Sequence, residues 1–533
     1  MKDLQFFRKL FSYYFILIFT TTLYTILFCQ FEIEIAFNFI ENCLFAFLLI
    51  TLSFFFKKAN YRKLYGLFSF VFFSTSILFE SVYYLLFQVF FSASSIFVLL
   101  DSNFNESLDF INFYIEYKEI FLIISIIIYS FYIFKILNNY NYEISTPLKK
   151  KGFIYILTIV LILTYLKVSK NIIYNFPYLF SKSFIEYYQT SSSFDNYSSN
   201  SIGSFTNVKS ISNNDNPVYV LILGESTVRS HMQLYGYERS TTPFLNQISK
   251  ELLVFSDVIS PHTLTVESIN KMLTLTNYES EDNKPSGSIL QLANAAGYNT
   301  YWLSNQRPIG IFESLVTKIA LSASETSFVS TAYGQHNRTL DQTLIPKIRK
   351  VLKESNKFPK FIVVHLMGAH FKYENRYPDS MKTAFKSIES DRILTQKQLI
   401  QDEYDRAILN TDYVITEIIK SVKKYAKHSA VLYVSDHGEE LDDLERLGHN
   451  EDFATKSMYD IPFFLWQSEA YKNDSVLFFD PNRKYMTDDL FHSLAEILEI
   501  NANEVDFTRS IFSKYFQSRP RVILNNQDYD IKF

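Results

Sequence analysis

Val218-Tyr-Val-Leu-Ile-Leu-Gly-Glu225-Ser-Thr227 and, about two hundred residues further on, Ala430-Val-Leu-Tyr-Val-Ser-Asp436-His437-Gly438 are two runs of β-formers that end in metal-ligating side chains. Each reads as a buried strand. Open α/β sheets gather their functional groups at the carboxyl ends of strands. A parallel sheet that brought these two ends together would assemble most of a zinc site. Adjacent Asp436 and His437 can both face one ion if the backbone turns, and Gly438 permits a turn.

Strand and helix patterns alternate around these two runs. Strands are predicted at Val218–Leu223, Leu253–Val258, Thr300–Leu303, Phe361–His365, Ala430–Ser435 and Ile461–Trp466. Helices are predicted at Thr242–Leu252, Ser268–Leu275, Ser288–Ala296, Pro346–Glu354 and Gln396–Tyr425. The alternation argues a mostly parallel sheet covered by helices. Glu225, Asn305, His370 and Asp436-His437 all follow strands, on the expected functional edge.

The first third of the chain has a different character. Five apolar stretches approach the roughly 20 residues that a spanning helix needs: Phe11 to Phe28, Phe37 to Phe56, Leu67 to Phe91, Ile120 to Leu137 and Phe153 to Val168. Lys2, Arg8 and Lys9 precede the first span; Lys57, Lys58, Arg62 and Lys63 fill the second connection; Lys149, Lys150 and Lys151 fill the fourth. The first connection has no Lys or Arg and the third only Lys118. The N-terminus is therefore expected in the cytoplasm, and everything after Val168 outside, which in a bacterium is the periplasm. Three segments follow: a transmembrane domain over 1–170, interfacial helices and a linker over 171–216, and a catalytic α/β domain over 217–533.

A chain of 533 residues is too long for one core, in keeping with this division. The net charge of −4 gives no footprint for nucleic acid. The two cysteines, Cys29 and Cys43, lie in the apolar third, so a metal in the C-terminal part must use His, Asp, Glu, Ser or Thr.

The motifs narrow the chemistry. Gly224-Glu225-Ser226-Thr227-Val228 fails the Gly-x-Ser-x-Gly pattern of a serine-hydrolase elbow, because Val228 replaces the second glycine. Taken alone, a strand-end Glu more often starts a helix than binds a metal. His370 lies just past a strand and His449 a short way downstream of Asp436-His437, in a chain with nine histidines. Ser260-Pro-His262-Thr263-Leu-Thr265-Val-Glu-Ser268 leads into a helix, where backbone N–H groups favour an anion. Thr265 could equally cap that helix. Spacing leaves Thr263, Thr265, Ser268 and Thr227 open as nucleophiles.

Taken together, Gly224-Glu225-Ser-Thr through Leu234-Tyr-Gly-Tyr237 to Thr242-Pro243, Thr265-Val-Glu-Ser268, His365-Leu-Met-Gly-Ala-His370, Arg376-Tyr-Pro378 and Ser435-Asp-His-Gly-Glu439 resemble the phosphoethanolamine transferases of Gram-negative inner membranes. These are a branch of the alkaline phosphatase and sulfatase superfamily. The wording is closest to members that decorate lipopolysaccharide core sugars. The resemblance covers nearly the whole chain and implies one Zn2+, with a second possible. It implies Glu225, Thr265, Asp436 and His437 as ligands, with Thr265 as nucleophile. His370 and His449 would contact the phosphoryl group or a second zinc, and Asn105 and Glu106 would face the lipid substrate. The Tyr404-Asp405 to Asp412 stretch would belong to a scaffold helix. The donor would be phosphatidylethanolamine, the acceptor lipopolysaccharide at a core sugar or lipid A, and the protein a monomer. One departure is plain: the best-known relatives carry disulfides across the soluble domain, and this chain has no cysteine there. Two other readings share parts of the pattern, a glycerophosphate transferase of the lipoteichoic-acid-synthase or glucan-modifying type and a metal-binding sensor without turnover.

Overall fold

A computed structural model describes residues 2–29, 31–56, 58–88, 90–91, 96, 115–139, 148–193, 200–212, 216–279, 287–306, 315–329, 339–354, 358–385, 395–475 and 477–533. The chain divides into two compact units, Met1–Tyr188 and Gln189–Phe533. Asn105 and Glu106 lie outside the described residues.

The first unit is helical: α1 (Lys2–Phe28), α2 (Ile33–Ser53), α3 (Ala59–Phe87), α4 (Tyr117–Asn138), α5 (Leu148–Val168) and α6 (Phe176–Ser193), the last running into the second unit. Four of the five expected spans are long and apolar enough to cross a membrane, namely Phe7–Phe28, Ile33–Ser53, Ala59–Phe87 and Tyr117–Asn138. The fifth helix, Leu148–Val168, contains the shorter apolar stretch Gly152–Val168. Tyr14, Phe70 and Phe73 pack ring on ring where α1 meets α3. The outward-facing Phe, Ile and Leu side chains stay exposed, as lipid-facing surfaces do.

The second unit is an α/β layered domain built on a seven-stranded sheet. Its strands are β1 (Val218–Gly224), β2 (Leu252–Phe255), β3 (Asn299–Ser304), β4 (Glu325–Phe328), β5 (Lys360–His365), β6 (Ser429–Ser435) and β7 (Phe463–Gln467). They lie in the order β2-β7-β6-β1-β5-β3-β4. All are parallel except β7, which runs against both β6 and β2. Along β1 the side chains alternate between two cores. Tyr219, Leu221 and Leu223 pack on one face, and Val218, Val220 and Ile222 on the other. Burial on both faces is what makes the strand an unbroken apolar run.

Strand β1 sits between β5 and β6, with Leu223 opposite His365 and Gly224 opposite Ser435. The loops that leave these three strands therefore emerge side by side. The chain reaches the β5 side and the β6 side by different routes, so this is the crevice where open α/β sheets bind ligands.

Three expectations change in detail. The strand expected over Leu253–Val258 breaks at Ser256, whose N–H and hydroxyl both bond to the Pro481 carbonyl (2.8 and 2.7 Å). Val258–Ile259 then pairs with Tyr485–Met486 in a separate small sheet. The helix expected over Thr242–Leu252 shortens to Pro243–Gln247 and a 3-10 turn at Ser249–Glu251, because Leu252 enters β2. Edge strand β4, with exposed Glu325 and Thr326, carries no apolar alternation and was not expected.

Candidate active site

Glu225 leaves β1 through a strained turn. Ser226, a non-glycine residue, has φ 52°, a left-handed conformation that costs of order 1–3 kcal/mol unless its surroundings impose it. Three bonds impose it here. The Ser226 N–H donates to Asp436 Oδ1 (3.1 Å). The Tyr404 hydroxyl donates to the Ser226 carbonyl (2.7 Å) and accepts from the Val228 N–H (2.9 Å). Tyr404 belongs to the long helix Gln396–Tyr425, which is the scaffold expected of the Tyr404-Asp405 to Asp412 stretch. The turn buries the Glu225 carboxylate, which accepts from Ser226 Oγ (2.9 Å) and Gln306 Nε2 (2.9 Å).

Asp436 and His437 leave β6 beside it. Asp436 Oδ1 accepts the N–H groups of Ser226 (3.1 Å) and His437 (2.7 Å). Its Oδ2 is buried and has no partner among the described residues. The His437 Nδ1–H donates to the Gly438 carbonyl (2.8 Å), which turns Nε2 toward the two carboxylates. That Nε2 lies 3.3 Å from Glu225 Oε1 and 3.5 Å from Asp436 Oδ2. Gly438 is needed for a reason other than a turn. Its φ is not left-handed, but a Cβ there would stand 2.1 Å from the Ser457 carbonyl oxygen.

Thr265 completes the group. It is the first residue of α7 (Thr265–Leu273), where Leu264 is the cap residue and no side chain caps the helix. Its hydroxyl is thus not spent on capping. Oγ1 lies 3.3 and 3.2 Å from the Glu225 oxygens and 3.3 Å from His437 Nε2. The other candidate hydroxyls do other things. Ser268 Oγ donates to the Asp436 carbonyl (2.6 Å), Thr227 Oγ1 donates to the Glu225 carbonyl (3.2 Å), and Thr263 is buried.

The donor set fits a metal ion. A tetrahedral ion with bonds of about 2.0–2.2 Å sets its ligands roughly 3.3–3.6 Å apart, the spacing found here. Glu225, Asp436 and His437 offer ligand atoms all within 4.8 Å of one another. The charges agree. Burial, then the Glu225 charge, pushes the Asp436 carboxyl well above its ordinary range. Burial alone would raise Glu225 as well, but the hydrogen bond and charge of His437 hold it well below. Two buried carboxylates around one oxygen with no partner are relieved by a cation.

His370 and His449 border the group. His370 follows β5; burial draws its pKa down to about 4, against the pull of Glu225. Arg376 Nη2 lies 3.4 Å from its Nδ1. His449 Nδ1 pairs with Glu439 Oε2 (2.7 Å), and its ring centroid is 4.4 Å from that of His437. His437, Glu439 and His449 form a second group with metal-ligand spacing. His262 points elsewhere, to Glu451 (2.7 Å).

Sequence reasoning missed Gln306, Glu439 and Asp341. Gln306 sits one residue past Asn305, whose side chain instead ties to Asp341 (2.8 Å). Asp341 accepts the N–H groups of Met367 and Gly368 (both 2.9 Å) and so fixes the loop that carries His370. A Cβ on Gly368 would lie 2.7 Å from the Glu225 carbonyl oxygen, and the Ala369 N–H donates to that oxygen (3.0 Å). Glu439 was visible as the residue after Asp-His-Gly. Asp341 carried no signal, since it follows no predicted strand.

Residues 217–500 match the sulfatase family model. The phosphoethanolamine transferase EptC of Escherichia coli K12 is 31% identical over 364 residues, 66% of this chain and 63% of the relative. CptA of Salmonella typhimurium, another phosphoethanolamine transferase, is 32% identical over 319 residues, 57% of this chain and 55% of the relative. The chain thus matches under two thirds of the length of these relatives. The crystal structure of the E. coli EptC periplasmic domain, a complex with Zn, superposes with a TM-score of 0.58 at 30% identity, covering 62% of this chain and 97% of that one. The integral membrane lipooligosaccharide phosphoethanolamine transferase A of Neisseria meningitidis shares the fold over 95% of this chain and 97% of its own, with TM-score 0.69 and 18% identity. The chain belongs to the sulfatase family.

Proposed function

We propose that the chain is a zinc-dependent phosphoethanolamine transferase of the bacterial inner membrane, with Thr265 as its nucleophile. The observation that carries this reading is the position of Thr265 Oγ1, within 3.3 Å of both Glu225 and His437 and free of any capping role. The relatives named as phosphoethanolamine transferases, and the zinc complex of one of them, support the choice of reaction and metal.

Glu225, Thr265, Asp436 and His437 would hold the ion. Bound there, zinc supplies a lowered pKa for the threonine hydroxyl and positive charge for the phosphoryl oxygens. Thr265 Oγ attacks the phosphorus of phosphatidylethanolamine and the bond to the diacylglycerol oxygen breaks. Phosphoethanolamine is left on Thr265, and diacylglycerol leaves with a proton. A lipopolysaccharide hydroxyl or phosphate oxygen then attacks the same phosphorus, the bond to Thr265 Oγ breaks, and the threonine oxygen leaves with a proton. His370 and His449 would contact the phosphoryl oxygens or hold a second zinc. Glu439 orients His449 through Nδ1, which leaves Nε2 for that contact.

Residues 1–170 anchor a monomer with its N-terminus in the cytoplasm, residues 171–216 lead out of the membrane, and residues 217–533 work in the periplasm. Asn105 and Glu106 meet the donor lipid. Mass spectrometry of lipopolysaccharide from a deletion strain tests the whole reading. Loss of the phosphoethanolamine mass from core or lipid A fragments, restored by the wild-type chain and not by Thr265→Ala, is expected. Full restoration by Thr265→Ala would overturn it.

A further inference from the structure

Within the helical unit one polar cluster stands apart from the apolar packing. Glu80 of α3 is buried, and donors fill both of its oxygens. Ser76 Oγ (2.9 Å) and the Phe176 N–H (3.2 Å) reach Oε1, while Asn38 Nδ2 (3.0 Å) and Asn42 Nδ2 (2.9 Å) reach Oε2. An ionised carboxylate offers about four acceptor sites and no donor. Four donors on its two oxygens favour the ionised form against the cost of burial.

A small cavity opens beside this anion, with room for one water-sized group. Thr21, Thr25, Asn38, Asn42, Glu80 and Tyr84 line it, and no Lys, Arg or His does so among the described residues. Asn42 is buried, and its Oδ1 has no partner among the described residues. The hydroxyls of Thr21 and Thr25 donate to the carbonyls of Leu17 (2.9 Å) and Thr21 (3.0 Å), which leaves them only lone pairs to offer. The cavity thus sets these acceptors, with the hydroxyls of Ser81 and Tyr84, beside the Glu80 carboxylate. A buried anion in a membrane helix calls for a cation, and the free acceptors call for one that donates hydrogen bonds.

We propose that Glu80 and Asn42 form a site for a primary ammonium group, that of an ethanolamine lipid headgroup. The choice of lipid rests on the phosphoethanolamine transferase reading; the need for a hydrogen-bonding cation does not. Glu80 lies about two helical turns inside the C-terminal end of α3, and Asn38 about one and a half inside the N-terminal end of α2. The pattern of basic residues puts both ends at the outer face.

Native mass spectrometry of the full chain, released from vesicles of phosphatidylethanolamine, phosphatidylcholine or phosphatidylglycerol, tests the site. Phosphatidylcholine carries the same net charge as phosphatidylethanolamine but no N–H. Retention of phosphatidylethanolamine about tenfold over both other lipids is expected in the wild type and in Thr265→Ala. Glu80→Gln and Asn42→Leu should each reduce that preference to near unity. Equal retention of the ethanolamine and choline lipids by the wild type, or an unchanged preference in Asn42→Leu, overturns the proposal even if Glu80→Gln does not fold. Displacement of the lipid by free ethanolamine or by sodium at equal concentration overturns the assignment to a headgroup. Transfer assays report on the reaction separately. A chain with the lipid preference that transfers no phosphoethanolamine overturns the catalytic reading, and one that transfers without the preference overturns the site.

Discussion

Thr265 owes its availability to where its helix begins. Starting α7 at Thr265 rather than Ser268 puts Leu264 in the cap position and turns the threonine hydroxyl toward Glu225 and His437. Replacement of Thr265 by Ala should lower transfer by at least about a thousandfold, while zinc stays bound through the remaining three side chains. Activity assayed alongside metal content separates these effects; equal loss of both would point to a structural role. Asp436→Asn acts differently, because it changes a carboxylate whose buried Oδ2 has no partner among the described residues. Zinc content measured on the purified variant should fall together with activity, and zinc retained at wild-type stoichiometry would exclude Asp436 as a ligand. At this scale the sequence was informative where a side chain followed a strand, as Glu225 and Asp436-His437 do. It was silent where a side chain works on another loop from a distance, as Asp341 and Gln306 do.

At the scale of elements, the site depends on how closely loops approach one another. The Gly438 N–H donates to the Met458 carbonyl (2.8 Å), and the Ser457 carbonyl occupies the space a Cβ would need. Gly438→Ala should therefore destabilise the domain by about 1–3 kcal/mol and shift Asp436-His437 relative to Glu225. A drop in both thermal midpoint and zinc affinity checks this, and an unchanged midpoint would refute it. Asp412, in the helix Gln396–Tyr425, accepts the N–H groups of Phe244 and Leu245 (both 2.8 Å) at the start of the short helix Pro243–Gln247. Asp412→Ala should cost about 1–3 kcal/mol by leaving those groups unpaired, as read by denaturant unfolding. The long helix was legible to its end residues because its polar and apolar residues alternate at helical spacing and Thr395 with Gln398 caps it. The break in the strand at Ser256 was not, because it depends on Pro481, more than two hundred residues away.

For the whole molecule, the order of elements was readable and the sheet order was not. Alternating strands and helices imply parallel pairing, yet nothing local says that β7 turns against its neighbours or that β1 lies between β5 and β6. Those pairings are long-range and are settled by which faces bury. Stability against pH should reflect another of the buried histidines, His492. Burial holds His492 at a pKa of about 3, against an ordinary value of 6.5. The unfolded chain takes up a proton below pH 6.5 and the folded chain does not, so stability falls as pH drops from about 6.5 toward 3. Between pH 6.5 and 5 this amounts to about 2 kcal/mol. Unfolding midpoints of the full chain across that range, compared with His492→Gln, should show the variant losing less; parallel curves would exclude His492 as the source.

The gathering of Glu225, Thr265, Asp436 and His437 has a consequence for how the protein matures. Its two cysteines lie in the helical unit, and both are free thiols. Held by these three separated loops, an ion would close chain segments of some 40 and 170 residues, the work that cystines perform in disulfide-bearing relatives. A reductant should therefore leave the thermal midpoint untouched, whereas a chelator should lower it. Output of working enzyme would then follow the supply of metal outside the cytoplasm and be indifferent to oxidising power there.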